Sequence, residues 1–124
     1  PLTICGDGFQ VRDMLHVRDV CSAFDRIFDV ASVYKGELFN LCGGPRNAIS
    51  LMEALKLIGQ VLGKVPILKY EDWRPQDNKV YVSNIERLIG LNWYPTTTIE
   101  TGIQDMCSWV KSEEATLRNL YGST

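Results

Sequence analysis

Two arginines stand in or beside turn-forming stretches of this chain, Arg12 in Gly8-Phe9-Gln10-Val11-Arg12-Asp13 and Arg74 in Trp73-Arg74-Pro75-Gln76-Asp77. A guanidinium presents a planar fork of donors that grips two phosphate oxygens at once, a geometry the point charge of lysine does not match. Two such forks suit a diphosphate. Spacing alone leaves open the alternative that both arginines are surface ion-pair partners of acids such as Asp13, Asp72 and Asp77.

Other chemistry is harder to assemble. Gly6-Asp7-Gly8 is followed by Phe9-Gln10-Val11, so the third glycine of a G-x-G-x-x-G dinucleotide loop is missing, and no helix is expected there to aim its amides at a pyrophosphate. None of the 5 tyrosines has a lysine four positions later. Hydride chemistry on a sugar alcohol needs a tuned base and a bound nicotinamide, and these residues supply neither. The only histidine, His16, lies in an apolar run without an evident carboxylate partner and is expected to be structural. Cys5, Cys21, Cys42 and Cys107 contain no C-x-x-C pair, which argues against zinc and for reduced, packed thiols.

The elements that must position the arginines follow from patterning. Pro1 to Cys5 and Val11 to Val17 read as extended segments on either side of the Gly6–Gly8 turn. Asp19 looks like a helix N-cap, and Val20, Ala23, Phe24, Ile27 and Phe28 behind it form one apolar helical face. Leu38 to Leu41 reads as a short buried strand that ends in Gly43-Gly44-Pro45. Ser50-Leu51-Met52-Glu53 is a capping box opening a helix with Leu51, Leu55, Ile58 and Leu62 on one side, and Gly63 stops it. Val65 to Tyr70 and Lys79 to Val82 are predicted strands around the arginine loop. A short helix is expected from about Asn84 to Gly90. Thr97-Thr98-Ile99-Glu100 reads as a second capping box, starting a final helix that carries Ile99, Ile103, Met106, Cys107 and Val110 on one face. Residues beyond about Glu114 are expected to fray.

Short strands alternating with about four helices place the chain in the α/β class, with too few strand–helix units for a complete doubly wound domain. Its 124 residues, 45% hydrophobic and 23% charged, suit one unit spanning residues 1–124. A body this small buries only about two-thirds of its unfolded surface, so a homodimer is one expected way of covering an open face. The net charge of −2 and the scattered cations give no nucleic-acid footprint. No apolar run reaches membrane length and no leader opens the chain, so a soluble, cytoplasmic protein is expected. Pro1 in place of Met hints that upstream sequence is absent.

At the arginines the sequence resembles a known family. Gly6-Asp7-Gly8-Phe9-Gln10-Val11-Arg12-Asp13, continuing through Val17 to Asp19, is similar to the G-D-G-x-Q-x-R-D-x-x-x-V-x-D stretch of extended short-chain dehydrogenases that act on nucleotide sugars. Phe39 to Gly44, Asn47 with Ser50-Leu51, Trp73 to Asp77, Val80 to Val82 and Leu91 to Pro95 follow in the family's order. The subgroup that it resembles most inverts C2 of a CDP-sugar. The resemblance implies an incomplete Rossmann-type α/β fold, the C-terminal substrate-binding portion of an NAD-dependent nucleotide-sugar epimerase, with the N-terminal NAD-binding domain and its catalytic residues absent. No cofactor is then expected in this chain, while NAD is expected for the complete parent, and a nucleotide-diphosphate sugar, CDP-sugar favoured, is the implied ligand. Carried over by position, Arg12 and Arg74 match the diphosphate clamp and Asp77 the acid near the nucleotide ribose. Gln10 and Asn47 are implied pocket contacts. Gly43, Gly44 and Pro45 look like loop shapers. Cys5 stands where many relatives carry an aromatic residue against the base.

Overall fold

The computed structural model describes residues 1–122, which form a mixed α/β body. Leu2–Cys5 (β1) pairs in parallel with Leu68–Glu71 (β4) as a two-stranded sheet, Leu2 opposite Leu68 and Cys5 opposite Glu71. A second sheet has Val11–Asp13 (β2) at its centre. Ala48–Ser50 (β3) runs antiparallel on one side of it and Val80–Tyr81 (β5) parallel on the other. The helices are Val17–Val30 (α1), Leu51–Leu62 (α2), Glu86–Ile89 (α3), Ile99–Ser112 (α4) and Glu114–Tyr121 (α5).

Local chemistry explains most boundaries. Ser50 caps α2 as expected. Its hydroxyl accepts from the Glu53 N–H at 3.2 Å while the Glu53 carboxylate accepts from the Ser50 N–H at 2.9 Å, and Gly63 ends the helix in the left-handed region at φ 69°. The core lies between α1, α3 and the turn after it, where Ala23, Leu88, Leu91 and Trp93 are buried with Leu15, Ile27, Phe39 and Leu41 packed against them. Inside it, the Trp93 indole donates to the Ser22 hydroxyl at 2.9 Å.

Several expectations are corrected. The strand expected over Val11 to Val17 stops at Asp13. Helix α1 starts at Val17 with His16 as its cap, the ring Nδ1 accepting from the Arg18 N–H at 3.3 Å. Asp19 is thus inside the first turn, and its carboxylate is taken by groups distant in sequence. Phe24 and Phe28, expected in the core, are 52% and 75% exposed. Leu38 to Leu41 finds no ladder partner: Phe39 and Leu41 meet the core, and the Asn40 amide donates to the Asn84 carbonyl at 3.1 Å. The cap of α4 is Thr98, which accepts from the Thr101 N–H at 3.2 Å, so Thr97 and Glu100 form no box. Residues Glu114–Tyr121 are helical, not frayed, with Arg118 paired to Glu114 one turn earlier. Strand β3 had no signal because three residues are too few to show alternation.

Candidate functional site

Strand β2 carries Arg12 at the centre of the three-stranded sheet. Its guanidinium uses both outer nitrogens on protein acceptors: Nη1 donates to the Val11 carbonyl at 2.8 Å and Nη2 to Asp77 Oδ1 at 2.7 Å. Asp77 is brought there by a turn, its N–H donating to the Arg74 carbonyl at 3.2 Å, and the turn needs the left-handed backbone of Gln76 at φ 65°. The Arg12–Asp77 pair therefore fastens the loop bearing Arg74 against β2. Arg74 itself is exposed and takes part in no ion pair among the described residues. For Arg12, the ion-pair alternative left open by the spacing is the contact present here.

A second device seats the same loop. Trp73 lies over Gly6, so closely that a Cβ there would stand 2.6 Å from the ring, and Lys79 Nζ sits 5.4 Å from the ring centroid on a cation–π contact. Gly8 makes similar room for Met52, whose side chain would lie 2.8 Å from an added Cβ. The Gly6–Gly8 turn thus leads into β2, with both glycine faces taken by side chains. It is no helix-opening cradle, and these residues do not fit the pyrophosphate of NAD.

The remaining expected residues are placed differently. Gln10 donates from its amide to the Cys5 carbonyl at 3.2 Å, bridging the turn between β1 and β2, and its Oε1 is buried with no partner among the described residues. Asn47 is buried and donates to the Thr97 carbonyl at 3.2 Å. That contact puts Asn47 on the wall of an open cavity of about 790 Å³ that also exposes Arg46, Tyr94 and Thr98. Arg12, Arg74, Asp77 and Gln10 do not line it. The structure brings Arg12, Asp77 and the Arg74 turn together and leaves Asn47 in a different cavity wall.

Two carboxylates whose partners the sequence did not reveal hold this architecture. Asp13 Oδ2 accepts from the Gly44 N–H at 3.1 Å and the Ser83 N–H at 3.0 Å, clipping the glycine loop to the end of β5. Gly43 fits only as glycine, since a Cβ would lie 1.9 Å from the Met14 carbonyl oxygen. Asp19 is 2% exposed, and its carboxylate accepts from the Thr96 N–H and hydroxyl and the Thr97 N–H. Burial alone would push its pKa up, but these hydrogen bonds outweigh it and hold the group below the ordinary aspartate value. Both sets of partners lie at least 31 residues away, beyond any local motif. His16 has a carboxylate neighbour after all, with Nε2 4.0 Å from Asp105, which also pairs with Arg18 at 3.1 Å. The contact ties α1 to α4.

Residues 1–42 match the NAD dependent epimerase/dehydratase family. Over 113 residues the chain is 32% identical to the CDP-paratose 2-epimerase of Salmonella typhi, covering 90% of this chain and 33% of that protein. It is 28% identical to the UDP-glucuronate 4-epimerase of Thermodesulfobacterium geofontis, across 97% of this chain and 36% of the relative. Among solved structures, a dTDP-glucose 4,6-dehydratase from Bacillus anthracis in complex with NAD superposes with a TM-score of 0.73 at 31% identity, covering 92% of this chain and 35% of that one. A UDP-glucuronic acid 4-epimerase from Bacillus cereus, in complex with UDP-glucuronic acid and NAD, gives a TM-score of 0.81 at 23% identity, which speaks for the fold alone. The homologues are nucleotide-sugar epimerases and dehydratases, and the chain spans about a third of their length. No helix of the described residues is long and apolar enough to cross a membrane.

Proposed function

We propose that this chain is the C-terminal, nucleotide-sugar-binding part of an NAD-dependent epimerase, most like a CDP-paratose 2-epimerase, and that alone it binds substrate without turning it over. The observation that carries this reading is the 2.7 Å contact between Arg12 and Asp77, which sets the loop of Arg74 beside β2. Two guanidinium forks suit a diphosphate, and this contact is what brings the loop of the second to the strand of the first. The sequence relationship to the Salmonella typhi protein favours a CDP-sugar. NAD and the catalytic groups belong to the rest of such an enzyme. Calorimetric titration of the chain with CDP should give binding that Arg12→Ala and Arg74→Ala each weaken at least tenfold, and CDP-sugar with added NAD should stay unconverted. Absence of CDP binding, or turnover by the chain, sinks the reading.

The surface area favours a second feature of the same reading. The chain exposes 9082 Å², against roughly 6,700 Å² for a compact monomer of its mass. Parallel strands are ordinarily covered on both faces, yet Leu2 on β1 and Tyr70 on β4 are exposed. The excess is of the size that an obligate partner covers, whether the remaining two-thirds of an enzyme like the relatives or a second copy forming a homodimer. Light scattering of the chain separates a self-associating module from a monomer that awaits another domain.

A further inference from the structure

We propose that His16 is a proton-operated latch between α1 and α4: neutral, its ring caps α1, and charged, it gives up the cap and closes on the buried oxygen of Asp105. The latch stands apart from the diphosphate site and does not depend on it. His16 Nδ1 accepts from the Arg18 N–H at 3.3 Å, so the neutral ring carries its hydrogen on Nε2. Nε2 is the nitrogen nearer α4, 4.0 Å from Asp105 Oδ2. That gap is too long for a hydrogen bond and too short to hold a water. Oδ2 is itself buried and forms no hydrogen bond among the described residues, since Arg18 Nη1, 3.1 Å away, meets it as an ion pair outside hydrogen-bond geometry. A buried carboxylate oxygen in that state has acceptor capacity to spare.

A proton taken from water can enter the ring only at Nδ1, on the lone pair that holds the Arg18 N–H. Two donors then face each other, and the cap is lost. In exchange Nε2–H can form a charge-assisted bond to a carboxylate, a stronger class of contact than a neutral cap, by a ring shift of about 1 Å. The ring lies against Gly102 of α4, where an added Cβ would stand 3.4 Å from its Cδ2, so glycine keeps that side of the helix clear of a side chain. Few charges face the ring. Its own helix brings Arg18 and Asp19, the latter filled by Thr96 and Thr97, and α4 brings Asp105. The cavity of about 570 Å³ beside the ring is lined from α2 by apolar side chains and from α4 by one further titratable group, the Cys107 thiol. The His16 side chain is 12% exposed, so water screens the new pair little. The sign follows: the cap is present while the ring is neutral and is lost as pH falls through its titration, and the bond to Asp105 appears over the same interval.

The test is an NMR titration of the isotope-labelled chain from about pH 8 to about pH 5, the interval in which histidine changes charge. His16 is the only histidine, so its ring nitrogens are assigned without ambiguity. At the upper end they should show the Nε2–H tautomer. As the ring takes up its proton, the Arg18 amide proton should move upfield for want of its acceptor, and the Asp105 carboxyl carbon and the Gly102 amide should move in step with it. His16→Asn keeps a good cap without a titrating ring and should leave all three resonances flat. Asp105→Asn should keep the Arg18 shift and abolish the one at Gly102. An Nδ1–H tautomer at the upper end, an Arg18 amide that ignores the ring, or an Asp105 carbon that does not follow it overturns the proposal. So does movement that persists in His16→Asn, which assigns the proton to another group, or a Gly102 shift that survives Asp105→Asn, which takes the carboxylate out of the latch.

Discussion

Oδ1 of Asp19 accepts both the N–H of Thr96, at 3.0 Å, and its hydroxyl, at 2.9 Å, across 77 residues of chain. With the Thr97 N–H on Oδ2 at 3.0 Å, this one carboxylate anchors the segment leading into α4 to the first turn of α1. Asp19→Asn keeps the shape but turns an amide NH₂ toward at least one N–H, leaving buried donors unpaired at a cost of about 2–3 kcal/mol. Urea denaturation at neutral pH should show that loss. The folded-state pKa is lowered from 3.8, so the contribution is present above that value and disappears as pH falls below it. The gap between wild type and Asp19→Asn should therefore narrow in acid below about pH 4. A gap constant down to the acid transition would assign the loss to shape and not to charge.

Gly43 offers a harsher test of the glycine loop. The carbonyl oxygen 1.9 Å from its would-be Cβ belongs to the Met14 backbone and cannot swing aside, so Gly43→Ala must move either the loop or the end of β2. A loss of about 3 kcal/mol or more, or failure to fold, is expected. Gly36→Ala, where an added Cβ meets nothing within 4 Å, should cost much less by circular dichroism melting.

At the start of α2, the Ser50 hydroxyl and N–H both donate to Glu53 and hold its carboxyl below the ordinary glutamate value, the hydroxyl contact being the larger cause. Ser50→Ala should cost about 1 kcal/mol through the lost cap. It should also raise the Glu53 titration midpoint, readable by NMR. The sign follows from the lowered pKa: the cap's stability is present at neutral pH and lost as pH falls below the ordinary glutamate value of 4.5. An unmoved Glu53 midpoint would detach the cap from the charge.

The boundary between what the sequence made legible and what it hid follows contact distance. The Ser50–Glu53 box and the Gly63 stop were readable because every partner lies within one turn of chain, and the arginine segments were readable because turn chemistry and guanidinium geometry are local. Asp19 was misread for the same reason. An aspartate ahead of an apolar periodicity has the local signature of a cap, and only tertiary contact reveals that Thr96 and Thr97 claim it while His16 caps the helix. Phe24 and Phe28 follow the periodicity of a core face yet remain exposed, because periodicity gives the direction of a face and not whether anything covers it. For the candidate site, neither segment announces that Asp77 is the neighbour of Arg12, since 65 residues separate them.

The seat of Trp73 can be tested apart from the charges. Gly6 has φ +88° and its Cβ position is filled by the indole, so Gly6→Ala combines a strained backbone with expulsion of the ring. Gly36, at φ +76° in open space, carries the backbone strain without the ring and serves as the control. If Trp73 positions the Arg74–Asp77 turn, Gly6→Ala should weaken CDP binding about tenfold and shift the Trp73 indole resonance, with Gly36→Ala near wild type in both. Lys79→Gln, which leaves the seat and removes the cation over the ring, should fall between them, since an exposed cation–π contact is worth about 0.5–1 kcal/mol. A Gly6→Ala chain that binds CDP normally although its Trp73 resonance has moved would show that the indole fills space beside the loop without setting where its arginine points.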